Sequence, residues 1–181
     1  MGTPSREELL DRCVAFHGHL CLGQVLGVRL ALKGMELIQT YDPKEMIVFI
    51  ENDRCIADAI QIVTGTRIGR RNAKLVNYGK MAATFISASS SDAYRVHVRQ
   101  VDPTAAHDKE ATRRTLQAPE TELLDWQRVE VSVKPENLPG KPRRTVNCVR
   151  CGEKVFDGRE IQVDGESLCV ACAEGSYYND V

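Results

Sequence analysis

Two Cys-x2-Cys pairs, Cys148/Cys151 and Cys169/Cys172, stand 17 residues apart near the end of the chain. This spacing reads as a structural zinc site. Four thiolates at tetrahedral corners satisfy Zn²⁺ fully and leave no open position for a reacting water. Each pair places two sulfurs on one tight turn, and Gly152 follows the first. A segment of about 30 residues cannot bury enough apolar surface to fold alone, so metal must supply much of its stability. Inside it, Lys154-Val155-Phe156 and Glu160-Ile161-Gln162-Val163 read as a minimal hairpin turning at Asp157-Gly158, and Asp164-Gly165 leads back towards the second pair. The expectation is a small zinc ribbon that staples structure and offers a surface to a protein partner.

Pro135, Pro139, Gly140 and Pro142 punctuate the polar stretch before Cys148, which is a linker by composition. The 181 residues therefore divide into a core domain over 1–138 and a zinc-binding module over 139–181. The charges nearly cancel, with 24 Lys and Arg against 25 Asp and Glu, which argues against nucleic acid as a ligand. No apolar run approaches the roughly 20 residues of a membrane helix. Arg6-Glu7-Glu8 puts acidic residues where an export signal would be basic and then apolar, so a cytoplasmic, reducing compartment is expected.

Local signals place the elements of the core domain. Ser5 and Glu8 fit a capping box. Leu9, Leu10, Cys13, Val14 and Phe16 then give a helical stripe that stops near Gly18. A second helix is predicted from about Cys21 to Thr40, apolar over most of its circumference and therefore buried. Met46–Ile50 reads as a central strand, and Cys55–Val63 as a helix closed by Gly65. Leu75-Val76, Ala82–Ser87 and residues 94–101 read as strands. Helical turns are expected from Pro103 to Leu116 and from Pro119 to Trp126. Arg128–Val133 alternates strictly, as a half-buried strand does. Helices and strands mix without a regular βαβ rhythm, so the fold class is α+β, a mixed sheet packed with helices.

Phe16-His17-Gly18-His19-Leu20-Cys21-Leu22-Gly23 carries the chemistry. Half of the four histidines fall within three residues. If residues 17–21 are helical, His17 and Cys21 share a face. If the glycines mark a loop, Cys21 opens the next helix, whose dipole favours thiolate. Either arrangement can bind a transition metal or let a histidine activate a cysteine. Cys13 reads as core, and His97 and His107 as structural.

These residues resemble the FHGHxCPG signature of FmdE, a family named for formylmethanofuran dehydrogenase. Gly27-Val28-Arg29, Glu51 through Cys55 to Gln61, Thr64-Gly65-Thr66 through Gly69 to Asn72, and Tyr78-Gly79-Lys80-Met81-Ala82 continue the resemblance in the family's order, over about residues 5–100. The C-terminal ribbon resembles one that some family members carry. Leu22 stands where the family often has proline, and Thr66 where it often has a second cysteine. The resemblance implies an α+β core, a homodimer, and a metal or reactive centre built from the His/Cys motif and Cys55.

In the first functional reading, His17, Cys21 and Cys55 hold a second Zn²⁺ or other transition metal, with His19 as a ligand or its support. Three protein ligands leave room for Lewis-acid chemistry on a small anionic or one-carbon carrier substrate. Cys21, His19 and Lys80 are the candidate catalytic residues. Glu51 or Asp58 would move protons, and Lys80 or Arg70 would hold an anion. The alternative is a non-catalytic accessory or metal-handling protein of a molybdenum or tungsten dehydrogenase-type system. A third is a cysteine-based enzyme that uses Cys21 without metal.

Overall fold

The computed structural model describes residues 4–99, 108–179 and 181. Its chain forms two compact units, Met1–Val131 and Ser132–Val181. None of its described helices is long and apolar enough to cross a membrane.

The first unit begins with α1 (Arg6–His17). Ser5 and Glu8 close the capping box, each side chain bonded to the other's backbone N–H. Gly18 ends the helix in the left-handed conformation, at φ 93°, which glycine adopts without steric cost. The chain turns a corner and enters α2 (Leu22–Leu37) with Cys21 as N-cap. Leu22 is thus the first helical residue, the position at which proline is favoured because its missing N–H is not needed. Here leucine packs into the core instead.

Helix α2 is apolar over most of its circumference because it is covered on two sides. Leu26, Leu30, Ala31 and Met35 pack towards the sheet. Val25 and Val28 pack with Leu9, Leu10 and Cys13 of α1. The sheet consists of β1 (Met46–Ile50), β2 (Ala73–Leu75), β3 (Ala82–Ser87), β4 (Ala93–Val98) and β5 (Leu124–Arg128). Its order is β2-β1-β3-β4-β5. The β1–β2 pair is parallel, linked through α3 (Cys55–Thr64), and the other pairs are antiparallel. A mixed sheet with helices packed on it is the α+β class that the sequence predicts.

Small residues decide how closely α2 approaches its neighbours. A Cβ built on Gly27 would lie 2.5 Å from the Cβ of Ala59, and one on Gly23 would lie 2.9 Å from that of Cys55. Two glycines one helical turn apart thus face the N-terminal half of α3. At Gly34 a Cβ would come within 2.2 Å of the Phe85 ring. Gly34→Ala is expected to destabilise the unit by about 1–3 kcal/mol. That is the overpacking cost, partly offset by roughly 1 kcal/mol of helix propensity. A urea midpoint equal to that of the parent protein would refute the close approach.

Two sequence expectations change in this unit. Residues 119–126 do not form one helix: a single turn, α5 (Glu120–Leu123), runs straight into β5. The alternating stretch 128–133 is not a strand beyond Arg128. The ladder on β4 pairs Val98 with Leu124 and Tyr94 with Arg128, so the strand is set four residues earlier. Val131 is correspondingly exposed. In the other direction, α4 spans Lys109–Thr115, while Val101, Pro103 and His107 lie outside the described residues.

The second unit carries β6 (Thr145–Asn147), β7 (Lys154–Phe156), β8 (Ile161–Val163), β9 (Glu166–Leu168) and α6 (Val170–Glu174). The expected β7–β8 hairpin is replaced by two hairpins, β6–β7 and β8–β9. Asp164 and Gly165 both have positive φ, 51° and 82°, as a two-residue primed hairpin turn requires. Asp157-Gly158 does turn the chain, but the strand before it pairs back to β6.

Candidate metal centres

The first Cys pair sits in the β6–β7 connection. Cys148 N–H donates to the Glu153 carbonyl and Gly152 N–H to that of Cys148. The second pair straddles the start of α6, where Cys169 is the N-cap and accepts from the Cys172 N–H. The four sulfurs lie within 4.8 Å of one another, and those of Cys151 and Cys169 are 3.9 Å apart. Sulfurs bound at about 2.3 Å to a common tetrahedral centre stand about 3.8 Å apart. The donor set therefore fits zinc. Backbone N–H groups, first that of Cys151, pull the Cys148 thiol down to about 6. Neighbouring sulfurs, first that of Cys169, push Cys172 up to about 12. Four thiols this crowded cannot all ionise without a cation among them.

The second cluster is built on the α1–α2 corner. His17 is the last residue of α1, His19 lies in the turn, and Cys21 caps α2. The loop geometry, not the helical one, brings them together. One donor atom each from His17, His19 and Cys21 lies within 4.8 Å of the others, and the two imidazoles are 4.6 Å apart between centroids. His19 is exposed and the other two are half-buried, so the cluster opens to solvent on one side.

Asp58, in the first turn of α3, supplies what no local pattern announces. Its Oδ2 is 2.8 Å from His17 Nδ1. The buried Nε2 of the same ring has no hydrogen-bond partner among the described residues. A carboxylate on one ring nitrogen fixes the tautomer and leaves the other nitrogen its lone pair, as in carboxylate–histidine–metal triads. In this geometry Asp58 orients His17, in place of the proton transfer that the sequence suggests for it.

Cys55 is not a member of the tight triad, and its sulfur adjoins that of Cys21. The two sulfurs lie 3.7 and 3.8 Å from one point, the Cβ position of Gly23. Gln24, fully buried, donates from Nε2 to the Cys55 carbonyl at 2.7 Å and ties the starts of α2 and α3 together. Burial raises the pKa of Cys21, and the neighbouring Cys55 thiol raises it further. The N–H groups of Gln24 and Gly23 act in the opposite sense and are outweighed. The helix start alone therefore does not make Cys21 a thiolate, contrary to the sequence expectation. A coordinating metal would do so outright.

The remaining candidates lie around this centre. Glu51 is buried, and its carboxylate receives Arg95 through two bonds of 2.7 Å, so it is committed to an ion pair. Lys80 is exposed, with its ammonium 5.9 Å from the centre of the Tyr78 ring. Its backbone N–H donates to the Glu51 carbonyl, which puts it at the end of β1 from which the chain proceeds to Cys55. Arg70 is exposed on the turn after α3. Thr66 is buried beyond the C-terminal end of α3 and shares a hydrogen bond with Thr64. Cys13 is core, with burial pushing its thiol up to about 12. Two larger cavities, of about 520 and 400 Å³, are lined by residues such as Ala93, Asp92 and Arg128, at the sheet end opposite Cys55.

Residues 16–137 match the family model described as FmdE, molybdenum formylmethanofuran dehydrogenase operon. Residues 141–178 match the prokaryotic dksA/traR C4-type zinc finger. A protein of Archaeoglobus fulgidus called a "probable S-adenosyl-L-methionine-binding protein" is 26% identical over 200 aligned residues, covering 94% of this chain and 53% of that protein. The chain thus spans about half the length of that relative. A solved structure, that of a tungsten formylmethanofuran dehydrogenase FmdE-like protein from Syntrophus aciditrophicus, aligns with a TM-score of 0.69 at 22% identity. The alignment covers 98% of this chain and 96% of that one, and it shows a shared fold.

Proposed function

The chain belongs to the FmdE family, and from that premise we propose that it is a protein of two metal sites, a C-terminal zinc staple and a working centre on His17, His19 and Cys21. One observation carries the second site. His17 Nε2 is buried and unpartnered while its Nδ1 is held by Asp58. An unpaired buried polar atom costs about 1–3 kcal/mol, and an ion at Nε2 removes that cost. Two imidazoles and a thiolate suit zinc or a neighbouring transition metal. Such an ion supplies Lewis-acid polarisation of a ligand oxygen.

The chain's own residues do the rest. Asp58 holds the His17 ring in one tautomer. Exposed His19 is within reach of solvent and can pass a proton, and Lys80 and Arg70 offer cationic groups to a small anionic or one-carbon carrier substrate. The accessory reading draws on one different observation: Cys55 adjoins Cys21, so a second sulfur is at hand as a fourth ligand to close the shell, as metal storage or delivery to a molybdenum or tungsten dehydrogenase-type system would use it. Both readings carry a homodimer as their oligomeric state.

Metal analysis of the purified chain tests the centre. Two equivalents are expected, with one lost in His17→Ala and in Cys21→Ala. Asp58→Asn should retain the fold and weaken the second site by about 10- to 100-fold in a competition titration. A single equivalent, indifferent to these changes, would sink the proposal.

A further inference from the structure

Cys21 and Cys55 are 34 positions apart in sequence, yet the fold brings both sulfurs to within 3.8 Å of one point, the Cβ position of Gly23. Three features hold them there. Gly23 has no Cβ, and any side chain at that position would press on the Cβ of Cys55 at 2.9 Å. Gln24 fixes the Cys55 backbone through its carbonyl. The close packing continues one turn on, with Gly27 against Ala59. Both cysteines are partly exposed, so a small reagent can reach them. Cys13 is a useful contrast, being wholly buried with its thiol turned to the Ala59 carbonyl.

We propose that Cys21 and Cys55 are a redox pair which a peroxide closes to a disulfide, withdrawing Cys21 from the His17/His19 cluster. The Cys21 sulfur attacks one peroxide oxygen, the O–O bond breaks, and hydroxide leaves with the electron pair and takes up a proton as water. Cys21 is then a sulfenic acid. The Cys55 sulfur attacks the Cys21 sulfur, the S–O bond breaks, and a second water leaves with the Cys55 proton. Two thiols have lost two electrons and hydrogen peroxide has become two waters. A dithiol reductant reverses the bond by exchange. Because a sulfur in a disulfide is no longer a thiolate, the cluster is left with its two imidazoles. The consequence for metal rests on the proposed function; the disulfide itself does not.

The test is a titration of the full chain, loaded with zinc, with hydrogen peroxide. Samples are alkylated and mapped by peptide mass spectrometry, and released zinc is followed with a chromophoric chelator. The expected result is a Cys21–Cys55 linked peptide pair that forms at least tenfold faster than any oxidation of Cys148, Cys151, Cys169 or Cys172, with release of one zinc equivalent. Cys55→Ser should abolish the link and slow the release of that equivalent by tenfold or more. Gly23→Ala, which separates the pair without removing a thiol, should slow the link as well. Oxidation that stops at Cys21 as a higher acid, or that links C-terminal cysteines first, overturns the proposal. A link that forms with no zinc released leaves the redox pair standing and counts against the metal centre instead.

Discussion

Stripping zinc from the chain should unfold residues 132–181 and leave the first unit folded. Among the described residues of the second unit, only Cys148, Asp157 and Leu168 are buried. Its four strands have three residues each. Hairpins this short are not stable in water without help. Structural zinc contributes about 10–16 kcal/mol in small modules of this kind, far more than so little apolar burial can. The first unit has a large apolar core in two clusters, one against the sheet and one between the helices. The protein's one tryptophan, Trp126, lies in β5 with Lys33 at 4.4 Å from its ring, so it reports on the first unit. A strong chelator should therefore erase C-terminal protection against proteolysis while the Trp126 denaturation midpoint stays near its starting value. Loss of both signals at one chelator concentration would show that the units fold as one, against this expectation. Cys151→Ser should reproduce the effect of the chelator.

Arg29→Ala should cost the first unit about 2–6 kcal/mol, from two carbonyls left unpaired at about 1–3 kcal/mol each together with lost packing. Arg29 lies in the middle of α2 and is 2% exposed. Its Nη1 donates to the carbonyls of Leu116 and Ala118, both at 2.7 Å, just past the end of α4. Burial lowers its pKa, the nearby Arg6 charge lowers it further, and Glu120 opposes them. An arginine begins high enough to stay charged regardless. Truncation leaves two carbonyls without their donor and a cavity where the guanidinium was. The result would be a urea midpoint moved far down, with Arg29→Lys recovering only part of it because a single ammonium lacks the planar reach of the fork. A shift worth less than about 1 kcal/mol would mean that water replaces the guanidinium, and that α4 does not depend on it.

Much of this architecture is written locally. Ser5 and Glu8 specify where α1 begins, and Gly18 specifies where it ends, because each acts on its own backbone. The period of α2 announces that it is covered on two sides. What escapes local reading depends on partners. Val129, Val131 and Val133 alternate as a strand does, yet β4 recruits Leu124–Arg128 as its neighbour instead. Asp157-Gly158 is a good turn, but the knuckle of Cys148 to Cys151 already pairs β7 with β6. The His/Cys motif is legible as a donor group because its members are nearly adjacent. Asp58 reaches His17 across 41 positions, and Cys55 reaches Cys21 only because Gly23 lets α3 come close. Neither contact has a signal in a single stretch of sequence.

The corner at Gly18 has a consequence for the order of events during folding. All three donors of the cluster belong to a five-residue stretch, so gathering them closes a very short loop at small entropic cost. An ion at the proposed centre would thus be caught by the nascent α1–α2 corner before the rest of the first unit exists, and would seed that helical hairpin. Asp58 and Cys55 would arrive afterwards, when α3 docks. Capture and tightening would then be separate stages, the first governed by local chain and the second by the finished fold.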